Sequence, residues 1–259
     1  MSILLVGEDI IVFDADQADF QISDATAALK QGKLVVLFGT AMLPESLSRV
    51  LLKGMSRAEL RRYEAYKSKI SATQFLCGRI LLRDLLVSYY ECAADQIEVS
   101  CQENVKPVAE CRASVLPTPQ FNLSHSGAWV VLGAHRDTPV GIDIECVDQL
   151  EINTLCAMDD LFTQNEREYL ARSIDRNTKA ELFYQIWRCK EAVMKATGLG
   201  FGLAPNSFEV LNQEGEFESI VHVEHTDWHL KQMNLRDGLA CAVAVGIPPL
   251  VGGKATSTT

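Results

Sequence analysis

Two stretches decide the fold: Val140-Gly141-Ile142-Asp143-Ile144-Glu145 and Trp187-Arg188-Cys189-Lys190-Glu191-Ala192-Val193-Met194-Lys195. The first predicts an apolar strand in which Asp143 and Glu145 point to one face, because alternate residues of a strand share a face. The second predicts a helix that carries Trp187, Glu191 and Lys195 one turn apart. Three carboxylates on two rigid elements, with lysines beside them, suit a hard divalent cation that holds a phosphate group. The pattern indicates a site for phosphoryl transfer.

The composition is that of a globular protein. The chain has 259 residues, of which 47% are hydrophobic and 22% charged. No apolar run approaches the roughly 20 residues that a membrane span needs. The first residues lack the basic segment and small-residue cleavage site of a signal peptide, so we expect a cytoplasmic location. The eight cysteines form no C-x-x-C pair, and we expect buried, reduced thiols.

The net charge is −10, which argues against nucleic acid or an anionic membrane as the main partner. One region reverses this balance. Its basic residues are Lys53, Arg57, Arg61, Arg62, Lys67, Lys69, Arg79 and Arg83. This basic run is either a solvated helix face or a binding surface for an anion, such as a phosphorylated cofactor or an acidic protein.

Apolar periodicity predicts the main elements. We expect a helix from about residue 56 to 90 and a second from about 178 to 197, which Gly198 ends. The spacing at Thr163-Gln-Asn-Glu166 predicts a capping box. The segments 207–211 and 239–245 are candidate strands.

Two further groups of polar residues are candidate sites. Ser124-His125-Ser126-Gly127 predicts a polar turn between two strands, and its hydroxyl, imidazole and glycine suit a phosphate. His222, Glu224, His225 and His229 suggest zinc, but their spacing fits no closed structural zinc pattern. P-loop, dinucleotide-binding and hydrolase-elbow motifs do not occur in the sequence.

Four motifs in order resemble those of the 4'-phosphopantetheinyl transferases, in the larger surfactin-synthetase-type group. They are Lys106-Pro107, Phe121-Asn-Leu-Ser-His-Ser-Gly127, Gly141-Ile-Asp-Ile-Glu145 and Trp187-x-x-Lys190-Glu191-Ala192-x-x-Lys195. The resemblance covers most of the chain. One departure is Val105, where the family usually has glycine, and it bears on the turn at Lys106.

The resemblance implies an α+β fold of two similar lobes related by pseudo-twofold symmetry, each a small three-stranded antiparallel sheet packed on a long helix. We expect an N-terminal lobe at 1–137, with the basic helix and the contacts to the cofactor's 3'-phosphate. A C-terminal lobe at 138–250 would hold the metal site and the catalytic helix, and a disordered tail would follow at 251–259. A monomer is expected.

The resemblance also implies a reaction, in which the 4'-phosphopantetheine group of coenzyme A moves to a serine of an apo acyl or peptidyl carrier protein. Adenosine 3',5'-bisphosphate is the other product. Asp143, Glu145 and Glu191 would hold Mg²⁺, or Mn²⁺ in its place. Glu191 would accept the proton of the serine, and Lys190 and Lys195 would face the phosphates. The 3'-phosphate contacts would come from the residues Lys106, Ser124, His125 and Arg62.

Two other functions stay open from the sequence. A regulatory protein could bind coenzyme A without turnover, but it would not need Glu191 and Lys195 together. A zinc hydrolase built on the His222 group belongs to a different class, and metal analysis would identify it. The carrier protein and its pathway are not determined by the sequence.

Overall fold

The computed structural model describes residues 3–5, 9–100, 106–146, 161–173, 175–236 and 238–247. Val105 and the tail at 251–259, for which expectations were stated above, lie outside these ranges. Within the same ranges, every helix falls short of the length and apolarity that a bilayer span requires.

Strands and helices are interspersed along the whole chain. Up to residue 135 they are β1 (Ile3–Leu5), β2 (Ile10–Asp14), α1 (Ile22–Lys30), β3 (Leu34–Thr40), α2 (Glu45–Leu52), α3 (Arg57–Ala65), α4 (Lys69–Tyr90), β4 (Ile97–Val99), β5 (Ala109–Cys111), β6 (Gln120–Ser126) and β7 (Trp129–His135). From residue 140 they are β8 (Val140–Cys146), α5 (Gln164–Ala171), α6 (Arg176–Thr197), β9 (Ile220–Val223), β10 (Thr226–Arg236) and β11 (Leu239–Gly246).

Two main sheets confirm the α+β fold class. The first has the strand order β1-β2-β3-β7-β6, and the second has the order β8-β11-β10-β9, while β4 and β5 form a separate hairpin. Both main sheets are larger than the expected three strands. The second is antiparallel throughout, whereas β2 and β3 of the first are parallel. The reason is α1, which returns the chain to the starting end of the sheet before β3 begins.

Two predicted elements differ from the structure. The helix expected from 56 to 90 is two helices, α3 and α4, because Ser68 is extended and its side chain caps the first turn of α4.

The prediction of a strand at 207–211 is wrong. A 3₁₀ helix spans Pro205–Ser207, and Leu211 makes a single bridge to Phe217. The carbonyls of Pro205 and Phe208 accept hydrogen bonds from Lys190 instead of joining a sheet.

Each long helix covers one face of a main sheet. Leu82 and Leu86 of α4 are buried with Leu37 of β3, and Val193 of α6 is buried with Ala242 of β11. The opposite faces of the two sheets share a third apolar cluster. Its members include the buried residues Val36, Phe38, Val131, Ile142, Ile144, Met233, Cys241 and Val243. The chain therefore buries β8 between α6 on one side and the first sheet on the other.

The two helical hairpins, α3–α4 and α5–α6, are built alike. Helices α4 and α6 both have 22 residues, and their first residues, 69 and 176, differ by 107. The caps of α3 and α5, Ser56 and Thr163, differ by 107 as well, and both form capping boxes. The helical hairpins thus repeat in structure, although their sequences show no obvious repeat.

The same offset relates two buried ion pairs. Glu59 closes the capping box of α3 and pairs with Arg83 of α4, with 2.8 Å between the charged atoms. Glu166 closes the capping box of α5 and pairs with Lys190 of α6, also at 2.8 Å. Both glutamate side chains are fully buried. Each pair fixes a short helix to the long helix that follows it.

Side chains, not a shared ladder, join the two main sheets at their edges. Alternate polar residues of β6, the edge strand of the first sheet, accept hydrogen bonds from alternate amides of β8, the edge strand of the second. The pairs are Asn122 Oδ1 with Ile142 N at 3.2 Å, Ser124 Oγ with Ile144 N at 3.4 Å and Ser126 Oγ with Cys146 N at 3.1 Å. We call this row the β6–β8 seam. The seam brings β6 beside Asp143 and Glu145.

Candidate functional site

The candidate site lies where α6 crosses β8. Gly141 sets the distance between them, because a Cβ at this position would lie 2.0 Å from the carbonyl oxygen of Ala192. This close approach brings Asp143 of β8 together with Glu191 and Lys195 of α6. The Lys195 Nζ is 2.6 Å from Asp143 Oδ1 and 3.6 Å from Glu191 Oε2. Strand alternation and helical spacing therefore converge as the sequence indicated.

Lys195 links the carboxylates in this structure. Its side chain is 26% exposed, while that of Asp143 is 5% exposed. Desolvation by itself would lower the pKa of the Lys195 ammonium, but the nearby Asp143 and Glu191 carboxylates raise it overall. Lys195 is therefore charged at neutral pH and balances part of the negative charge.

Ser124 and Ser126 of β6 orient the two strand carboxylates. The Ser124 hydroxyl donates to Asp143 Oδ1 at 2.8 Å and accepts from Lys195 at 3.1 Å, and the Ser126 hydroxyl donates to Glu145 Oε2 at 2.9 Å. The predicted turn at 124–127 begins later than expected, because residues up to Ser126 belong to β6 and Gly127, with φ of 54°, makes the bend. Ser126 was missed as a site residue. The sequence does indicate this role, because Ser126 lies two residues after Ser124 and therefore shares its face of the strand.

Two carboxyl groups of the cluster, those of Glu145 and Glu191, are destabilised as anions. Burial, and then the neighbouring Asp143, raise the pKa of Glu145 to about 7. Burial raises the pKa of Glu191 as well. The Oδ2 atom of Asp143 is buried and has no hydrogen-bond partner among the described residues. An unpaired buried carboxylate oxygen beside two other carboxylates is a donor set that suits a hard cation.

The arrangement is not a preformed metal centre. In the described part of the chain, no group of three or more His, Cys, Asp or Glu side chains stands ready to hold a metal ion. Lys195 instead takes one oxygen of Asp143. The predicted donors do fit a cation chemically, through the free oxygen of Asp143, but they need to rearrange around it.

Lys190 does not reach the carboxylate cluster. Its side chain is fully buried on the opposite side of α6, where its ammonium group pairs with Glu166 at 2.8 Å. It also donates to the carbonyls of Pro205 and Phe208 at 2.8 and 2.7 Å. Lys190 lies five residues from Lys195, which places it on a different helix face. The expected contact between Lys190 and a phosphate is absent because all three ammonium hydrogens have protein partners.

The other predicted cofactor residues lie on three different elements or segments. Lys106 donates to the carbonyl of Val140 at 3.0 Å, and burial lowers its pKa to about 8. His125 is on the opposite face of β6 from Ser124, and partial desolvation, followed by the charge of Lys195, lowers its pKa. Arg62 lies on α3, with its guanidinium 5.2 Å from the ring centre of Tyr66. Ser124 and His125 therefore face different neighbours.

The His222 group gains no support as a zinc site. His222 Nδ1 is 2.7 Å from Asp227 Oδ1, and both side chains are exposed on the β9–β10 hairpin. Glu224 has a φ of 54° and forms the turn of that hairpin. These contacts explain the polar residues as the solvated side of a strand pair.

The basic run divides into surface and buried residues. Arg57, Arg61 and Lys69 are exposed. Arg83 instead pairs with Glu59 and donates to main-chain carbonyls, and Arg79 is buried and donates to the carbonyl of Ser100. Arg79 and Arg83 are thus buried residues that hold α4 to neighbouring segments, and they do not contribute to a basic surface.

Comparisons with known proteins agree on one family. A model of the 4'-phosphopantetheinyl transferase superfamily matches residues 139–244, and a model described as 4'-phosphopantetheinyl transferase, N-terminal, matches residues 45–137. The chain is 30% identical over 199 residues to the 4'-phosphopantetheinyl transferase ffp of Bacillus subtilis, covering 76% of this chain and 85% of the relative. It is 31% identical over 181 residues to the 4'-phosphopantetheinyl transferase Sfp of Bacillus subtilis strain 168, covering 70% and 77%.

A solved structure is also similar. It is the holo-[acyl-carrier-protein] synthase of Thermotoga maritima, at 23% identity and a TM-score of 0.32, over 42% of this chain and 62% of the other.

Proposed function

Because the chain belongs to the 4'-phosphopantetheinyl transferase superfamily, we propose that it transfers the 4'-phosphopantetheine group of coenzyme A to a serine of an apo carrier protein. The observation that carries this proposal is the carboxylate cluster. Asp143 and Glu191 lie on two rigid elements and are linked by Lys195, at the motif positions that the sequence shares with the family. Holo carrier protein and adenosine 3',5'-bisphosphate are the products.

In this proposal Asp143, Glu145 and Glu191 hold a divalent cation, Mg²⁺ or Mn²⁺. When bound, the cation neutralises charge on the pyrophosphate of coenzyme A. The unpaired oxygen of Asp143 supports this role. Ser124 and Ser126 keep the strand carboxylates oriented. In this proposal Ser124 has that role in place of the phosphate contact expected from the sequence.

Helix α6 supplies the side chains for proton transfer and charge stabilisation. Glu191 accepts the proton of the carrier's serine hydroxyl, and burial, which raises its pKa, makes its carboxylate a stronger base. The serine oxygen then forms the new bond to phosphorus as the pyrophosphate linkage breaks. Lys195, which is charged and partly exposed, stabilises the negative charge on the departing phosphate.

The cofactor's 3'-phosphate is remote from the bond that breaks. We assign its recognition to Lys106 and His125, with Arg62 as a further contact. Lys106 and His125 lie near the cluster without joining it, Arg62 lies on α3, and each of the three can donate to an anion. Binding energy from such a group helps to orient the reacting atoms.

The two halves would act as lobes of one monomer, with residues 1–137 and 138–250 as their extents. The break between the two family models, after 137 and before 139, supports this boundary. A cytoplasmic location is also part of the proposal, and the buried thiols of Cys77, Cys189 and Cys241 are consistent with it. Light scattering of purified protein tests the monomer.

Incubation with coenzyme A, Mg²⁺ and a panel of apo acyl and peptidyl carrier proteins tests the main proposal. We expect one carrier or more to gain the mass of phosphopantetheine, and chelation to stop the reaction. Glu191→Gln should lower the rate by about 10²–10⁴-fold. Asp84→Asn is the matched control, because Asp84 occupies the same position in α4 that Glu191 occupies in α6. No mass gain on any carrier would refute the proposal, whereas binding of coenzyme A without transfer would favour a regulatory protein.

A further inference from the structure

A sulfur–sulfur contact joins Cys92 and Cys111. Their Sγ atoms are 3.6 Å apart, and both residues are only partly buried. Cys77, Cys189 and Cys241 are buried, and burial raises the pKa of each thiol. We propose that Cys92 and Cys111 form a reversible intramolecular disulfide, a modification site that is independent of the transferase activity proposed above.

The backbone holds both cysteines in place. Cys92 follows Glu91, whose φ of 53° ends α4, and the Cys92 amide donates to the carbonyl of Val87 at 3.2 Å. Cys111 is the last residue of β5 and pairs with Ile97 of β4. Neither sulfur lies on a free loop, so the contact is a fixed feature of the fold.

A small movement would close the bond. A disulfide has a sulfur–sulfur distance of about 2.05 Å, so the two atoms must approach by about 1.5 Å. Side-chain rotation with a slight shift of the hairpin supplies a movement of this size. Cysteines in distant elements would require a rearrangement of the backbone instead.

The chemistry needs an oxidant, for which we name a low-molecular-weight disulfide such as glutathione disulfide. One protein thiolate attacks it, forms a mixed disulfide and releases one glutathione. The second protein thiolate then attacks the sulfur of the first protein cysteine in this mixed disulfide, which forms the Cys92–Cys111 bond and releases the second glutathione. Two thiols lose two protons and two electrons, and one glutathione disulfide is reduced to two glutathione molecules. Burial and the adjacent Cys111 raise the pKa of Cys92, so the reaction should run faster as the pH rises.

The bond would tie the end of α4 to the β4–β5 hairpin. This hairpin is a separate two-stranded sheet, which is marginally stable without other contacts. Arg83 already holds it from α4 through the carbonyl of Ile97, and it also donates to the carbonyl of Ala94 just before β4. A covalent link at Cys111, which pairs with Ile97, would close a loop from residue 92 to 111 and restrict the unfolded chain.

Peptide mapping tests the pairing. The reduced full-length protein is incubated at pH 8 with mixtures of glutathione and glutathione disulfide, alkylated and digested with trypsin, which spares the Lys106-Pro107 bond. The peptide from Asp84 to Arg112 contains Cys92, Cys101 and Cys111. We expect it to lose two hydrogens and to retain one alkylated cysteine. Cys101→Ser should leave this loss intact, whereas Cys92→Ser and Cys111→Ser should abolish it.

Three results would overturn the proposal. They are a fully alkylated wild-type peptide in glutathione disulfide alone, a mixed disulfide that persists without ring closure, and loss of the reaction in Cys101→Ser. Thermal unfolding gives a second measurement that needs no variant. We expect the oxidised protein to melt about 5 °C above the reduced protein. An equal or lower melting temperature would mean that the two sulfur atoms cannot bond without distorting the fold.

Discussion

At the scale of residues, two lysines of one motif have different environments. Lys190 is fully buried against Glu166, and Lys195 reaches the carboxylates. The helical repeat alone separates the two side chains, since only Lys195 shares the face of Glu191. The partner of Lys190 could not be predicted from the sequence, because Glu166 lies on another helix and its capping role gave no sign that its carboxylate is fully buried.

Replacing these lysines should separate stability from activity. Lys190→Met leaves Glu166 as a buried unpaired charge, and we expect a loss of about 3–5 kcal/mol in the free energy of unfolding. Activity per folded molecule should stay within about twofold of the wild type. Lys195→Met should instead lower kcat by about 10²–10⁴-fold. Denaturant unfolding and rates measured on the folded fraction check both, and recovery of stability in Lys190→Met with Glu166→Leu would identify the buried charge as the cause.

His125 provides a test of the cofactor site. The deletion of a charge-assisted hydrogen bond to the 3'-phosphate costs roughly 1.5–3 kcal/mol. We therefore expect His125→Ala to lower kcat/KM for coenzyme A by about 10–150-fold and to leave dephospho-coenzyme A nearly unchanged. His222→Ala, at an exposed histidine of the β9–β10 hairpin, is the control. Equal losses with both donors would place His125 elsewhere than at the 3'-phosphate.

The pKa of Glu145 predicts a pH dependence of stability. Burial and Asp143 raise it to about 7 from the ordinary 4.5, so the folded protein keeps a proton that the unfolded chain loses. This stabilisation is present below about pH 4.5 and is lost as the pH rises through 7. We expect the metal-free protein to lose roughly 2–3 kcal/mol of unfolding free energy from this group between pH 5 and 8.

Urea unfolding in a chelating buffer measures this loss. Glu145→Gln should make the dependence shallower, since it removes the titrating group. Glu64→Gln, at an exposed position of α3, should not change it. A stability that rises between pH 5 and 8 would contradict the assigned environment of Glu145.

At the scale of elements, regular segments were the most predictable. The second long helix ends at Thr197 before Gly198 as expected, and the capping box at Thr163 is confirmed. Ser124 was assigned to a turn because polar residues dominate the local sequence, yet the partners of these residues lie in β8. Long-range partners of this kind determine where β6 ends and whether the segment 207–211 forms a strand. Neither is encoded in local periodicity.

Gly141 makes the contact between β8 and α6 testable. In Gly141→Ala, the new methyl group would overlap the main chain of Ala192 and Ala196, so α6 must move away from the strand. We expect a loss of about 3 kcal/mol in unfolding free energy and a fall in kcat, because Glu191 and Lys195 move with the helix. Gly202→Ala, whose added methyl group would meet its nearest atom at 4.0 Å, should change neither. Calorimetry and transfer rates decide between these outcomes.

At the scale of the whole molecule, the repeated helical hairpins carry different chemistry. The positions of Glu191 and Lys195 in α6 correspond by the same offset to Asp84 and Ser88 in α4. The N-terminal half keeps the buried ion pair but not the lysine of the cluster. The sequence predicted two similar lobes through a family resemblance, whereas the shared offset of the buried ion pairs becomes visible only in the structure.

The surface charge offers a prediction at this scale. The protein is acidic overall, but Arg57 and Arg61 are exposed on α3. If acidic carriers approach this face, Arg57→Glu with Arg61→Glu should raise KM for the carrier several-fold and flatten its salt dependence, because exposed charges act mainly on encounter. Lys179→Glu, an exposed change on α6, is the control. An unchanged salt profile would indicate an apolar docking surface.

The β6–β8 seam has a consequence for how the chain avoids aggregation. An edge strand with free amides is a template for pairing with other chains. Here β8 is the edge of its sheet, and three of its amides are engaged by side chains from the other half of the protein. A C-terminal half that folds before the N-terminal half has docked would therefore present an uncovered, apolar strand edge. The polar residues of β6 thus protect the strand that carries Asp143 and Glu145 from pairing with a second chain.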